Sequence, residues 1–282
     1  MNTLAIFGVG LIGGSFALAM RRAGFTGRII GVSSPSTIRR ALELGVIDQE
    51  LSARQAAETA DLIYLALPIQ PIIDILADLD RWARPDALIT DVGSTKNAIV
   101  DQAARTMSRC QFLGGHPLAG REQRGVDAAE ADLFRGRLYV LTPRSAAELD
   151  SPAVRQFRKW IDEIGAVTMI LGAAEHDRVV ACTSHLPQLA STALASMLDQ
   201  RSEGHSGVFG PGLIDSTRLA LSSFDIWGDI LTTNREAVQD ALRSYIAALQ
   251  EFSQVLEREP NHLRQYFERA RRFADALRDR GV

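Results

Sequence analysis

Apolar and polar positions follow two rhythms over the first 170 residues of the chain. Short, nearly continuous apolar runs at Thr3–Phe7, Arg28–Val32, Leu62–Leu67, Ala87–Asp91, Gln111–Gly114, Leu138–Leu141 and Val167–Leu171 predict strands. Between them, apolar residues recur every three or four positions, which predicts helices over Leu11–Ala23, Ser36–Leu44, Ile69–Trp82, Thr95–Met107 and Pro152–Ile164. Strands alternating with helices imply a mostly parallel sheet covered on both faces. Near Gly172 the strand rhythm stops. Ala174–Leu198, Ile226–Glu257 and Pro260–Arg280 read as helices. The stripe Ile246, Leu249, Phe252, Val255 and Leu256 reads as core packing, and apolar faces this long call for partners, some from a second subunit. Gly204–Gly212 interrupts the helical pattern and reads either as a plain surface loop or as a mobile loop over a site.

Composition narrows the class. With 282 residues, 46% of them apolar and 23% charged, the chain can bury one large core or two. A net charge of −3 argues against a nucleic-acid partner. No apolar run reaches the roughly 18 residues of a membrane span, and the N-terminus enters a strand-like segment directly, without a signal peptide. A cytoplasmic location is therefore expected. Cys110 and Cys182 read as small buried apolar residues and not as a disulfide framework. No metal site is expected.

The chemistry begins at Gly8-Val9-Gly10-Leu11-Ile12-Gly13, a G-x-G-x-x-G stretch that follows a predicted strand and opens a predicted helix. In that context Gly8 makes the tight turn, Gly10 admits a dinucleotide pyrophosphate to the backbone at Leu11 and Ile12, and Gly13 lets helix and strand pack closely. The first 172 residues are thus expected to form an α/β, Rossmann-type doubly wound sheet domain, and 173–282 an all-helical dimerisation domain. Enzymes using NAD usually carry an acid about twenty residues on, at the ribose. Here the positions are Ser33 and Ser34, with Arg39 and Arg40 close behind. Hydroxyls and a guanidinium suit a 2′-phosphate, so NADP is expected in preference to NAD. Leu67 and Pro68, at the end of the next strand, should also face the cofactor. Ser94, in Asp91-Val92-Gly93-Ser94-Thr95-Lys96, reads either as a helix cap or as a hydrogen-bond donor to substrate. His116, in Gly114-Gly115-His116-Pro117-Leu118-Ala119-Gly120, stands where a proton-handling group is needed.

Five segments in the same order, FGVGLIGGS (7–15), DVGSTK (91–96), GGHPLAG (114–120), SHLPQLAS (184–191) and DSTR (215–218), make the chain resemble the prephenate/arogenate dehydrogenase family of tyrosine biosynthesis. The resemblance implies oxidative decarboxylation of a cyclohexadienyl substrate. It implies that His116 hydrogen-bonds the ring hydroxyl, that Ser94 assists at the same oxygen, and that Arg218 holds a substrate carboxylate. His185 matches a family histidine near the active site, aimed by the kink expected at Pro187. Gln188 replaces a second histidine found in many members, on the side of the substrate side chain, and this leaves prephenate and arogenate both open. His176, His205 and His262 are assigned to structure or surface. The expected partners are the small-molecule substrate and a second copy of the chain. The competing readings are another two-domain NAD(P) dehydrogenase, such as a 3-hydroxyacid dehydrogenase or an imine reductase, and an NAD(P)-sensing protein without turnover.

Overall fold

The computed structural model describes residues 1–121, 123–201 and 208–279. Strands β1 (Thr3–Phe7), β2 (Arg28–Val32), β3 (Gln49–Glu50), β4 (Leu62–Leu65), β5 (Leu88–Asp91), β6 (Gln111–Pro117), β7 (Leu138–Thr142) and β8 (Val167–Ile170) form one sheet in the order β3-β2-β1-β4-β5-β6-β7-β8. Pairing is parallel throughout except between β6 and β7. The strand order reverses between β1 and β4, and a crevice therefore opens beyond their carboxyl ends.

Helices cover both faces because the strand side chains are apolar on both. Every residue of β1, β4 and β5 is buried. One face packs against α1 (Leu11–Arg22), α2 (Pro35–Glu43) and α6 (Pro152–Glu163), with Phe16, Ile38, Phe157 and Ile161 in its core. Phe16 stacks on Tyr64 with centroids 3.9 Å apart. The other face packs against α3 (Ala53–Thr59), α4 (Ile69–Trp82) and α5 (Asn97–Thr106), through Ala56, Ile72, Leu76, Ile99 and Ala103.

Strand β6 runs further than the apolar pattern indicates. Its first residues pair in parallel with β5, and from Gly114 to Pro117 it pairs antiparallel with β7, His116 lying opposite Val140. His116 is therefore on a strand and not beyond one. The antiparallel switch, the two-residue β3 and the short α3 carry too little periodicity to be read from sequence.

The helical half comprises α7 (Ala173–Val180), a π-helical turn (Ala181–His185), α8 (Leu186–Arg201), α9 (Pro211–Thr217) running into a 3₁₀ turn (Arg218–Leu221), α10 (Phe224–Thr233), α11 (Arg235–Arg258), a 3₁₀ turn (Pro260–His262) and α12 (Leu263–Asp279). The single helix expected over Ile226–Glu257 is two, broken at Asn234, whose backbone leaves the helical region. Helix α9 begins inside the expected break at Gly204–Gly212, of which 204–207, with His205, lie outside the described residues. Cys110 is buried as expected, whereas Cys182 is exposed, since the π-helical turn carries it to the surface. Among the described residues no helix is long and apolar enough to cross a membrane. The two halves are joined at the carboxyl ends of the strands: Thr95 and Thr233 share a hydroxyl hydrogen bond of 2.7 Å, and Asp229 accepts from the Gln70 N–H at 3.1 Å.

Candidate active site

Gly8 sits at φ 91°, and a side chain there would strike the Ala66 carbonyl. A Cβ at Gly13 would strike the Gly8 carbonyl, which is the close helix–strand packing expected of it. At Gly10 the result is the opposite: an added Cβ would meet nothing within 4 Å. Helix α1 has no side-chain cap and no acid in its first turn, so the N–H groups at its start are left for an external anion. These features fit a dinucleotide: Gly10, Leu11 and Ile12 would hold its pyrophosphate, with Leu67 and Pro68 on the neighbouring wall. All five line a cleft of about 930 Å³ that also includes Ser94 and Arg218. At the ribose end Ser34 caps α2, its Oγ accepting from the Thr37 N–H at 3.4 Å, while Ser33 is half-buried. Arg40 is drawn into pairs with Asp127 (2.7 Å) and Glu43 (3.1 Å), whereas Arg39 is exposed and has no charged partner among the described residues.

The floor of the site is a buried ion pair. Lys96 and Asp91 are both fully buried and bonded to each other. Asp91 also accepts from the Gly93 N–H at 2.7 Å and the Gly115 N–H at 3.1 Å, and Lys96 donates to the Gly115 carbonyl at 2.7 Å. One carboxylate thus grips the residue before Ser94 and the residue before His116. Gly115 is required for this approach, since a Cβ there would lie 2.7 Å from the Asp91 carbonyl oxygen. Burial lowers the Lys96 pKa, and Asp91 opposes the shift.

Ser94 is not a cap. Helix α5 starts after it, and its first N–H groups are taken by Asp177 of α7, whose two carboxylate oxygens accept from the backbone of Lys96 at 2.7 Å and of Asn97 at 2.9 Å. The Ser94 hydroxyl consequently makes no hydrogen bond among the described residues and faces the cleft. His116 is half-buried and is not among the residues that line the cleft, and its Nδ1 lies 2.8 Å from His176 Nε2. His176 Nδ1 in turn lies 2.8 Å from Asp177 Oδ1. Burial, followed by the influence of His176, Lys96 and His185, holds the His116 pKa well below the usual histidine value, so the ring is neutral near pH 7.

The helical half supplies the rest. His185 is buried against the Trp227 ring, with its Nδ1 3.3 Å from Asn234 Nδ2. Burial pushes its pKa down to about 4. Gln188 is buried, its Nε2 donating to the Leu219 carbonyl at 2.8 Å and to Thr192 Oγ1 at 3.2 Å. Ser191 accepts from the Ala220 N–H at 3.2 Å. Together Gln188 and Ser191 fix the turn that carries Arg218 into the cleft. His185 and Gln188 themselves do not line the cleft.

Four residues escaped the sequence reading: Asp91, Lys96, His176 and Asp177. The first two stand in the DVGSTK segment, where an Asp and a Lys five positions apart, next to an apolar strand, were the available signal. His176 and Asp177 belong to no recognised segment, and nothing in a lone His-Asp pair reveals a tertiary contact sixty residues away. His262, by contrast, is a surface residue paired with Glu259.

Comparison with known proteins agrees with this geometry. Residues 16–170 match the nucleotide-binding domain of prephenate dehydrogenase, and residues 172–269 match its dimerization domain. The prephenate dehydrogenase of Bacillus subtilis is 34% identical, over 98% of this chain and 76% of that protein. The crystal structure of A. aeolicus prephenate dehydrogenase with hydroxyphenyl propionate and NAD+ superposes with a TM-score of 0.92 at 30% identity, covering 98% of each chain. Synechocystis arogenate dehydrogenase superposes with a TM-score of 0.83 at 31% identity, over 99% of this chain and 100% of that one. With both halves matched, and with the cradle at Gly10, Ser94 and Arg218 lining one cleft, the chain belongs to the prephenate/arogenate dehydrogenase family and is an oxidoreductase of that family.

Proposed function

We propose that the chain oxidatively decarboxylates prephenate or arogenate, with NADP in preference to NAD, as a cytoplasmic homodimer divided into a sheet domain (1–172) and a helical domain (173–282). The observation that carries this reading is the capping of α5 by Asp177, which leaves the Ser94 hydroxyl unspent in the same cleft as Arg218 and the cradle at Gly10.

When bound, the nicotinamide supplies the hydride acceptor. The chain's own residues manage the remainder. Arg218 pairs its guanidinium with a substrate carboxylate, a geometry suited to a bidentate contact. Ser94 hydrogen-bonds the oxygen on the ring carbon that loses hydride. His116, neutral and basic at Nε2, takes the proton of that hydroxyl as its carbon becomes carbonyl-like. The bond between the ring and its carboxylate then breaks, carbon dioxide leaves, and the electron pair enters the ring and makes it aromatic. His116 returns its proton to the phenolic oxygen, so the protein ends as it began. His185 keeps the site's helical wall in place through Asn234 and Trp227, and Gln188 does so through the Leu219 carbonyl. The two substrates share the reacting ring and differ only in the side chain.

The NADP preference rests on the absence of an acid at Ser33 and Ser34 and on Arg39, the cation on α2 that is not already paired. The homodimer rests on the match to a dimerization domain and on the apolar surface left exposed by α10, α11 and α12. The test is turnover, followed as reduced cofactor, with prephenate and arogenate supplied separately with each of NADP and NAD. Turnover of at least one substrate, faster with NADP at low cofactor concentration, is expected. No turnover with either would remove the assignment, and faster turnover with NAD would remove the cofactor preference.

A further inference from the structure

We propose that His176 and Asp177 are positioning residues that lock His116 in the tautomer whose Nε2 is unprotonated and turned toward substrate. The proposal rests on the reading of His116 as the proton acceptor and adds the means by which the protein prepares it.

Both oxygens of Asp177 accept backbone N–H groups, of Lys96 and of Asn97, whose hydrogens cannot be moved. Asp177 Oδ1 is therefore an acceptor, and an ionised carboxylate has no hydrogen to give. The nitrogen facing it at 2.8 Å, His176 Nδ1, must donate. A neutral imidazole with hydrogen on Nδ1 offers a lone pair at Nε2. The group facing that lone pair, also at 2.8 Å, is His116 Nδ1, which must carry its own hydrogen. The remaining His116 nitrogen, Nε2, is left as the base. Reversing any one proton would set two lone pairs, or two hydrogens, against each other in a place without solvent, since His176 and Asp177 are buried.

The surroundings hold the relay still. Asn234 donates to the Asp177 carbonyl at 2.8 Å, and the Lys96–Asp91 pair fixes Gly115, next to His116. The charged or titratable groups around His116 are thus His176 and Asp177 on α7, His185 on the π-helical turn, Lys96 before α5 and Asp91 on β5. When His116 takes a proton, the Nδ1–H contact passes the positive charge toward Asp177 through His176. The arrangement uses one carboxylate for two tasks, the cap on α5 that frees Ser94 and the anchor of the histidine pair, so the hydroxyl and the imidazole are placed by the same group.

Three measurements test this. Nitrogen-15 NMR of the histidine rings in the unaltered protein at neutral pH is expected to show Nδ1–H on both His116 and His176 and an unprotonated Nε2 on His116. An Nε2–H tautomer at His116 would overturn the proposal, and this readout needs neither turnover nor a variant that folds. His176→Leu, which removes the acceptor, should lower kcat on the order of 10²-fold, leave cofactor affinity unchanged and shift the acid limb of the pH profile. His176→Gln, whose amide oxygen can accept in place of Nε2, should recover most of that loss. Unchanged kcat in the leucine variant, or a glutamine variant no better than leucine while both bind cofactor normally, would overturn it. Failure of the underlying reading is distinguishable: it would show as full activity in His116→Asn, whatever the tautomer of the native ring.

Discussion

Two phenylalanines show how differently the halves of this molecule are built. Phe16 of α1 is fully buried, stacked on Tyr64 and edge-on to Phe134. Phe273 of α12 is 67% exposed, and α12 buries no residue at all. The sheet half packs two extensive cores against its strands. The helical half has a small core of its own around Ala181, Val238 and Ala241, and turns Leu221, Phe224 and Phe267 outward. Yet Asp177, His176 and Asn234, the groups that set the site, come from the helices. The lesson is a division of labour. The sheet provides rigidity that a single chain can supply, and the helices provide inserted polar groups together with apolar surface that suits a second copy.

The sharpest test of that division is at the seam. His116→Asn should lower kcat by about 10²–10⁴-fold with cofactor affinity unchanged, because the cradle at Gly10 is built by the sheet half alone. Cofactor dissociation constants and turnover measured on the same preparation check both parts. A parallel loss of cofactor affinity would mean that the cradle and the proton-handling group are not independent.

Next in size is the buried pair beneath the site. Lys96→Met leaves Asp91 a buried carboxylate without its countercharge, and breaking such a pair typically costs about 3–5 kcal/mol. Urea unfolding should show that loss, whereas Lys159→Met, which removes an exposed i,i+4 partner of Glu163 at 3.5 Å, should show less than about 1 kcal/mol. Equal effects would show that the interior of the sheet half is no more demanding than its surface.

How much of this could be read beforehand follows the same boundary. The strands of the sheet half other than β3 were legible because side chains buried on both faces write continuous apolar runs, and the fingerprint at Gly8–Gly13 was legible because its chemistry is local. The single helix expected over Ile226–Glu257 is broken because Asn234 leaves the helix to bond Asp177 and His185, contacts at sequence separations of 57 and 49 that no local pattern records. Ser94 could be read as cap or ligand, and the cap is taken by Asp177, 81 and 80 positions away from the N–H groups it holds. His176 looked like any structural histidine for the same reason. The Gln188 amide nitrogen donates to the Leu219 carbonyl, a contact at a sequence separation of 31 that no local pattern records.

Acid provides the third test. His116 and His185 are neutral in the native state with pKa values held low, that of His185 at about 4, mainly by burial. In the unfolded chain both take up protons below about pH 6.5. The unfolded state then binds more protons than the native state, so stability rises with pH in this window. Stability is fully present above pH 6.5 and is lost as pH falls toward 4, with His185 alone contributing on the order of 3 kcal/mol. Unfolding free energy measured at pH 7, 5.5 and 4.5 should fall in that order, and His185→Asn should flatten the curve. A native state equally stable at pH 7 and 4.5 would contradict the burial of both rings.

The smallest effect on the chain itself is expected at Phe273, and it is read against the large effect at Phe16. Phe16→Ser removes a packed ring from the sheet core, and large-to-small changes of this kind cost about 3–5 kcal/mol. Phe273→Ser removes a ring that is mostly in water, and such surface changes stay within about 0.5 kcal/mol. The two substitutions are chemically identical, so the difference in unfolding free energy reads only the surroundings. The association of two copies should respond in the reverse sense. If the α12 face is covered by the partner, sedimentation equilibrium should show Phe273→Ser weakening the dimer, because each interface loses the ring from both copies, while its far-ultraviolet dichroism is unchanged. A variant that dimerises as tightly as the native chain would place the interface elsewhere on the helical half, at α10 and the Leu221–Phe224 surface, and would leave α12 as an apolar face with another purpose.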